Sequence, residues 1–404
     1  MKRLIVIFLI ALLVRLALVA VWHQSGKGNL ISHDGRGYGT VAHSLLEGKG
    51  FLFDGHLPNR RPPVYPLFLA LFMKLGAFPW GLHLAQAFLG AASCLILYGL
   101  ARQIFDEKAG LLAALVFALD YASFRETVSV MPEVLYVFLL LGSFYFLFRA
   151  RREGRARWLV LAGLLGGMSL LTKDLLVFYY PCVIVWILLW PNAWKTRLFR
   201  AGLFLVGLGL VVAPWVVRST LIHGRPVLIT VSSGHTLYIG NNPLTKGKTT
   251  GGEWGLGEDM DYAEYPEGME LFSVEADRYY FRKGLDFIRR NPRRFFVLMG
   301  KKIVNMWRPY QVDSPRLARW LTALSYVPVA LLGGAGMIRS LGRWRRLFPI
   351  FSLIGYVFLI HAVMIGQIRY RYSVMPFVMM FAAFVLAGIW KGLKERRLEA
   401  IRHA

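Results

Sequence analysis

The chain has 404 residues, 56% of them hydrophobic, and a formal charge of +25 at neutral pH. So large an apolar share exceeds what a water-soluble fold of this length can bury, which leaves lipid as the solvent for much of the surface. The basic residues sit beside the apolar runs and not on a separate soluble domain, so membrane orientation explains the charge and a nucleic-acid partner is excluded.

Runs of about twenty apolar residues select spanning helices, because backbone polar groups must be satisfied internally in hydrocarbon. The expected architecture is all-α, a polytopic integral membrane protein of about ten spans. The candidate spans run from Leu4 to Trp22, Leu82 to Ile104, Gly110 to Phe124, Val134 to Phe148, Trp158 to Leu171, Leu175 to Trp190, Leu198 to Val217, Leu317 to Ile338, Leu347 to Ile365 and Val374 to Trp390. The first run follows Met-Lys-Arg and lacks a small-residue cleavage site, so a retained span is expected there and not a signal peptide. Arg15 is its one deep cation and is expected to snorkel. Cys94 and Cys182 both fall in apolar segments without metal-type spacing, which argues against a disulfide or zinc framework.

Charge fixes the expected orientation. The stretch Arg149 to Arg157 carries five arginines against Glu153, and Lys195 to Arg200, Arg339 to Arg346 and Lys391 to Arg402 are also basic, so these are read as cytoplasmic. From Thr249 to Asp277 there are nine acidic residues and no lysine or arginine, and that segment is read as external. The parity requires Pro62 to Phe78 to lie at the outer interface as a helix and not to cross. Three regions follow: 1–218, a transmembrane module with an external loop at 21–81; 219–314, an external loop; and 315–404, C-terminal transmembrane helices with a basic cytoplasmic tail. Both termini are expected in the cytoplasm of a cell (inner or plasma) membrane. In the second loop, His235 to Asn242 and Thr249 to Gly257 read as turn-rich or hairpin-like, followed by an amphipathic helix from about Glu270 to Arg290 and an interfacial one from Arg293 to Trp307.

The first external loop contains Ser32-His33-Asp34-Gly35-Arg36-Gly37-Tyr38 ahead of an apolar helical pattern. Asp34 there is either a helix cap or a general base that takes a proton from an acceptor hydroxyl. Arg60-Arg61-Pro62-Pro63-Val64-Tyr65 puts paired arginines before a proline-initiated helix, which suits a phosphate or, equally, a lipid headgroup. Glu133, Lys173 and Asp174 fall at external span ends, where a salt bridge or an interfacial anchor is the simpler account. Arg218, Arg369 and Arg371 fall on the same side. External cations are few under the positive-inside rule, so their recurrence calls for an anion, and a phosphate at the outer interface would supply it. Asp120 and Glu126 stand in reserve.

Taken in order, Asp34-x-x-x-Tyr38 with Ala42, Leu45 and Gly48, Arg61-Pro62-Pro63-x-Tyr65, Gln86, Leu100-Ala101-Arg102, Glu133-x-x-Tyr136, Leu171-Thr172-Lys173, Pro214-Trp215-x-x-Arg218 and Gly240-Asn241-Asn242-Pro243 resemble the GT-C glycosyltransferases. The branch resembled holds the protein O-mannosyltransferases and the lipid A aminoarabinose transferases. The likeness covers roughly the first 245 residues, with an arginine-tyrosine echo at Arg369 to Tyr372. It implies a helical membrane fold with juxtamembrane helices in the first external loop. It also implies inverting transfer of a sugar from a polyprenyl-phosphate-linked donor to a lipid, glycan or protein acceptor outside the cytoplasm. On this resemblance Asp34 and Glu133 are the catalytic acids, and Arg60, Arg61, Lys173, Arg218, Arg369 and Arg371 bind the donor phosphate. His33, Tyr38, Tyr65, Asp174 and Asn241 are the expected substrate contacts. Some relatives carry a second acid directly after the first, or one two places before the prolines; here those places hold Gly35 and Arg60, so no metal and no other cofactor is expected to be required. The alternative function is a transporter or flippase of a lipid-linked sugar, although repeat halves and midplane charges, which usually mark such proteins, are not evident.

Overall fold

The structure, a computed structural model, describes residues 2–27, 32–53, 57–246, 273–311 and 314–402. Helix α1 (Lys2–Gln24) is followed by α2 (His33–Leu46), a hairpin of β1 (Leu52–Phe53) and β2 (Leu57–Pro58), and α3 (Val64–Lys74). Then come α4 (Trp80–Ile104), α5 (Glu107–Leu119), α6 (Tyr121–Arg125), α7 (Glu133–Glu153), α8 (Ala156–Thr172), α9 (Tyr180–Leu188) and α10 (Trp194–His223). The second loop region contributes α11 (Ser233–Gly240), α12 (Val274–Arg290) and α13 (Pro292–Met306), and the chain continues through α14 (Arg316–Arg339), α15 (Trp344–Val363) and α16 (Met375–Arg402).

The protein is an all-α polytopic membrane protein. Among the described residues seven helices are long and apolar enough to cross a membrane: α1, α4, α7, α10, α14, α15 and α16. The three other expected spans are shorter. α8 is apolar but has 17 residues. The run from Gly110 breaks at Asp120, whose carboxylate accepts from the Ser123 amide (2.8 Å) and hydroxyl (2.7 Å) and so ends α5 and starts α6. From Leu175 only the nine residues of α9 are helical after a short 3-10 turn over Asp174–Leu176.

Other readings also change. The segment from Arg149 is not a loop throughout: α7 continues to Glu153, where Arg149 pairs with that residue at 2.8 Å, and Gly154 in the left-handed region stops it. His235 to Asn242 is mostly helix α11 and not a hairpin. Thr249 to Gly257 and most of the acidic stretch lie outside the described residues. Arg15 does not snorkel; it is fully buried, donates to the carbonyls of Ala11 (3.0 Å) and Ala118 (3.4 Å), and packs against Gly90. It thereby reaches the electronegative end of α5.

Small residues let the helices approach. A Cβ on Gly163 of α8 would stand 2.2 Å from the Phe204 carbonyl oxygen of α10, and one on Gly207 would stand 2.2 Å from that of Val160. Backbone cannot swing aside as a flexible side chain does. Gly207→Ala is therefore expected to push α8 and α10 apart at a cost of about 1–3 kcal/mol, read as a lowered unfolding midpoint in detergent; an unchanged midpoint would refute the tight crossing.

Helices α2 and α3 sit on a second small core of Tyr38, Ala42, Tyr65, Leu69, Leu82, Leu135 and Leu139, which ties them to α4 and α7. Gln86 of α4 reinforces this. It accepts from the Tyr65 hydroxyl at 3.2 Å and donates to the carbonyls of Thr127 and Ser129, each at 2.9 Å. The loop leading into Glu133 is thus tied to α3, and the polar atoms of a buried side chain are used.

Candidate active site

Asp34 lies in the first turn of α2 and is not its cap. Ser32 caps that helix, accepting from the Gly35 amide at 3.1 Å, which leaves the Asp34 carboxylate free to face outward from the turn. One carboxylate oxygen meets Arg61 Nη2 at 3.0 Å and the other meets Arg369 Nη1 at 2.6 Å. Arg61 comes from the turn before α3, and Arg369 from a 3-10 turn over Ile368–Ser373, more than three hundred residues later. Burial pushes the Asp34 carboxyl up, but the guanidinium groups of Arg369 and Arg61 more than offset it and hold the group well below the usual carboxylate range.

Packing fixes these charges. The Arg61 guanidinium lies 4.6 Å from the Tyr38 ring centre, and that ring meets Tyr65 edge-on at 5.2 Å. Gly37 lets both side chains lie close, since a Cβ there would stand 2.8 Å from the Phe53 ring and 3.0 Å from Arg61 Nη2 and would have to displace them.

A second ion pair adjoins the first. Glu133, the first residue of α7, pairs with Lys173 at 3.0 Å, and the two side chains are 2% and 12% exposed. This is the salt bridge that the simpler account of these positions anticipates. The two pairs meet at Tyr370, whose ring centre lies 5.3 Å from Lys173 Nζ and 5.2 Å from the Arg369 guanidinium carbon. Tyr370 in turn stacks on His361 at 4.1 Å. Electrostatics agrees with one connected site: Glu133 as well as Asp34 strengthens the charge on Arg369, and Glu133, Asp174 and Asp34 all act on the Tyr38 phenol. Among the described residues Arg61 Nε, Arg369 Nε and Glu133 Oε2 are buried and have no hydrogen-bond partner, which leaves capacity for a ligand.

The other expected residues are distributed around this centre. Tyr38 and Tyr65 are buried beneath it. Asp174 accepts from the Thr230 hydroxyl. Arg60 lies over the Phe53 ring at 5.0 Å. Arg218 donates to Asn59 Oδ1 at 2.9 Å between the Phe51 and Trp215 rings, facing a different set of groups from Arg61. His33 is the first residue of α2, and its side chain lies outside the described part.

Two placements do not suit their expected roles. Arg371 is 3% exposed, lies 3.7 Å from the Tyr326 ring centre and donates from Nη1 to the carbonyls of Met306 and Arg308 at the end of α13, so its contacts lie there and not with Asp34. Alternate residues of a 3-10 turn face different ways, and Arg369 and Arg371 diverge accordingly. Asn241 is fully buried, donates to the Leu237 and Val363 carbonyls at 2.9 Å each and accepts from Lys302 at 3.1 Å, which leaves no group for a substrate.

Sequence reasoning underweighted Glu126, Tyr370 and His361. Burial, and after it the charge of Glu133, push the Glu126 carboxyl up to about 7 from 4.5. A carboxyl raised on folding binds more protons in the folded than in the unfolded state between those two values. Its contribution to stability is therefore lost as pH rises through that window and is constant above it. In Glu126→Gln that downward slope should vanish, as unfolding midpoints in detergent from pH 4.5 to 8 will show; an identical slope in both proteins would reject the assignment.

Comparison with known proteins agrees with this architecture. Residues 60–217 match the family model described as dolichyl-phosphate-mannose-protein mannosyltransferase. The chain is 29% identical over 141 residues to a Bacillus subtilis (strain 168) protein named "Putative mannosyltransferase YkcB", over 34% of this chain and 20% of that one. It is 27% identical over 201 residues to an uncharacterized protein of Aquifex aeolicus (strain VF5), over 47% of this chain and 40% of that one. Among solved structures, the Archaeoglobus fulgidus oligosaccharyltransferase in its apo form superposes with a TM-score of 0.60 at 13% identity, over 98% of this chain and 52% of that one. The archaeal oligosaccharyltransferase AglB of the same organism, in complex with an inhibitory peptide and a dolichol-phosphate, gives 0.54 at 14% identity, over 98% and 52%. The chain thus spans about half the length of those structures and less than half of the curated relatives it matches. It has the GT-C fold over nearly all of its length and is similar, over residues 60–217, to the family described as dolichyl-phosphate-mannose-protein mannosyltransferase.

Proposed function

We propose that this chain is a membrane glycosyltransferase that moves a sugar from a polyprenyl-phosphate-linked donor to a hydroxyl acceptor on the extracytoplasmic side, with inversion at the anomeric carbon. The observation that carries the reading is the convergence of Arg61 and Arg369 on Asp34, with Lys173 sharing the Tyr370 ring. Three cations beside two carboxylates, with two of the cations on Asp34 and the third on Glu133, suit a reaction that takes a proton at one end and sheds a phosphate at the other.

In the step proposed, the acceptor oxygen forms a bond to the anomeric carbon as its proton passes to Asp34. The bond from that carbon to the phosphate oxygen breaks, and its electron pair leaves with the polyprenyl phosphate. Arg61, Arg369 and Lys173 stabilise the charge that develops there, so their effect falls on turnover more than on donor affinity. A carboxylate held by two guanidinium groups is a poor base. A donor phosphate that draws Arg61 and Arg369 toward itself weakens both ion pairs and raises the proton affinity of Asp34 when the acceptor is in place. Base strength is in this way coupled to donor binding.

The family match and the named relatives support a sugar of the mannose kind, and the dolichol-phosphate bound by the archaeal relative supports the donor class. The acceptor is a hydroxyl of a lipid, a glycan or a protein. The test uses the purified chain in nanodiscs with a radiolabelled polyprenyl-phosphate hexose and a panel of such acceptors. Labelled product with release of polyprenyl phosphate is the expected result. Movement of the lipid across a liposome bilayer without any transfer would replace this reading with a flippase.

A further inference from the structure

Arg369 has to be held in place by something, because the 3-10 turn that carries it is short and the ion pair with Asp34 joins it to a distant helix. The segment just before that turn, from Val363 to Gly366, is bound by two other elements. The Val363 carbonyl accepts from Lys302 Nζ at 2.8 Å and from Asn241 Nδ2 at 2.9 Å, and Lys302 Nζ also donates to Asn241 Oδ1 at 3.1 Å. One turn further along α13, Asn305 Nδ2 donates to the Gly366 carbonyl at 2.6 Å. Backbone contact is equally close: a Cβ on Gly366 would stand 2.3 Å from the Lys302 carbonyl oxygen, and one on Gly240 would stand 1.8 Å from that of Met364. On the far side of Arg369, the Arg371 guanidinium binds the carbonyls that end α13.

We propose that Lys302, seconded by Asn305, is a positioning residue that sets Arg369 against Asp34 by clamping the Val363–Gly366 segment to α13. The inference rests on the functional reading above for what Arg369 does, and on the contacts alone for what Lys302 does. Lys302 is 3% exposed and Asn305 5% exposed. Among the described residues no carboxylate pairs with the Lys302 ammonium, and burial pushes it down to about 7. A cation is costly in such a place, and a lysine that served only to fill space would be replaced at a gain by an apolar side chain of its length. Its two hydrogen bonds from Nζ and its reach from α13 to the Val363 carbonyl are what an apolar residue lacks. The same helix turns Phe296, Val297 and Val304 outward, exposed by more than half, so the clamp joins the site to the part of the loop region that meets its surroundings.

The experiment compares wild type with Lys302→Met in nanodiscs, and with the near-isosteric Asn305→Leu should Lys302→Met fail to fold. Amide hydrogen exchange is read first. Exchange over residues 367–374 should be about tenfold faster, with α7 and α8 unchanged. Unchanged exchange at 367–374, or an equal rise in α7 and α8, overturns the clamp. Transfer is read second, in a double-mutant cycle with Arg369→Ala. Lys302→Met should slow wild-type turnover about tenfold yet add no further loss in the Arg369→Ala background. Fully additive losses would overturn the route through Arg369. A wild type with no transfer activity would reject the proposed function, while the exchange measurement would still decide the clamp.

Discussion

Asp34→Asn should lower sugar transfer by about 10²–10⁴-fold, the range that a positioned proton acceptor contributes. Asparagine keeps the shape of the side chain and a carbonyl oxygen for one arginine, but it cannot accept the proton or carry the charge that draws Arg61 and Arg369 together. Helix α2 should persist, because its cap is Ser32 and its packing is through Tyr38 and Ala42. The paired measurements are turnover of a labelled polyprenyl-phosphate sugar and the unfolding midpoint in detergent. Loss of turnover with the midpoint kept supports the base; turnover above half of wild type removes Asp34 from that role. The acid response of the wild type follows from the same contacts. A carboxyl lowered on folding contributes stability that is fully present above its ordinary range and is lost progressively as pH falls from that range through the lowered folded value. The Asp34 ion pairs are therefore expected to persist throughout the neutral and mildly acidic range.

Lys173→Met should destabilise the fold by about 3–5 kcal/mol, the usual cost of removing one member of a buried ion pair. Glu133 is 2% exposed, and among the described residues one of its oxygens already lacks a hydrogen-bond partner, so its charge depends on the ammonium. The uncompensated charge, more than the lost attraction, is what costs. It follows that Glu133→Gln in the Lys173→Met background should recover most of the midpoint, since both charges are then gone. Activity should not recover with it, because Lys173 also faces the Tyr370 ring shared with Arg369 and is one of the cations assigned to the departing phosphate. Unfolding midpoints of the two single variants and the double variant decide the first point. If the double variant unfolds no later than Lys173→Met alone, the pair is not the source of the loss.

Composition and apolar run length sufficed to identify an all-helical membrane protein, because hydrocarbon tolerates little else at that depth. The same logic placed the long spans within a few residues and marked Glu133, Lys173 and Arg369 as unusual charges at span ends, while Asp34 and Arg61 stood out in the motifs of the first loop. Local chemistry misled where a polar side chain interrupts an apolar run, as Asp120 does between α5 and α6. Sequence spacing was silent on which charges meet. Arg369 reaches Asp34 although most of the chain separates them, while Arg371, two residues further on, turns instead to the end of α13. Only tertiary packing makes that choice, since each guanidinium goes to whichever buried acceptor lies in its direction, and those acceptors are brought there by other helices. The same holds for Lys302 and Asn241: an isolated lysine and a motif asparagine gain their roles from a carbonyl of α15 that the chain order does not place beside them.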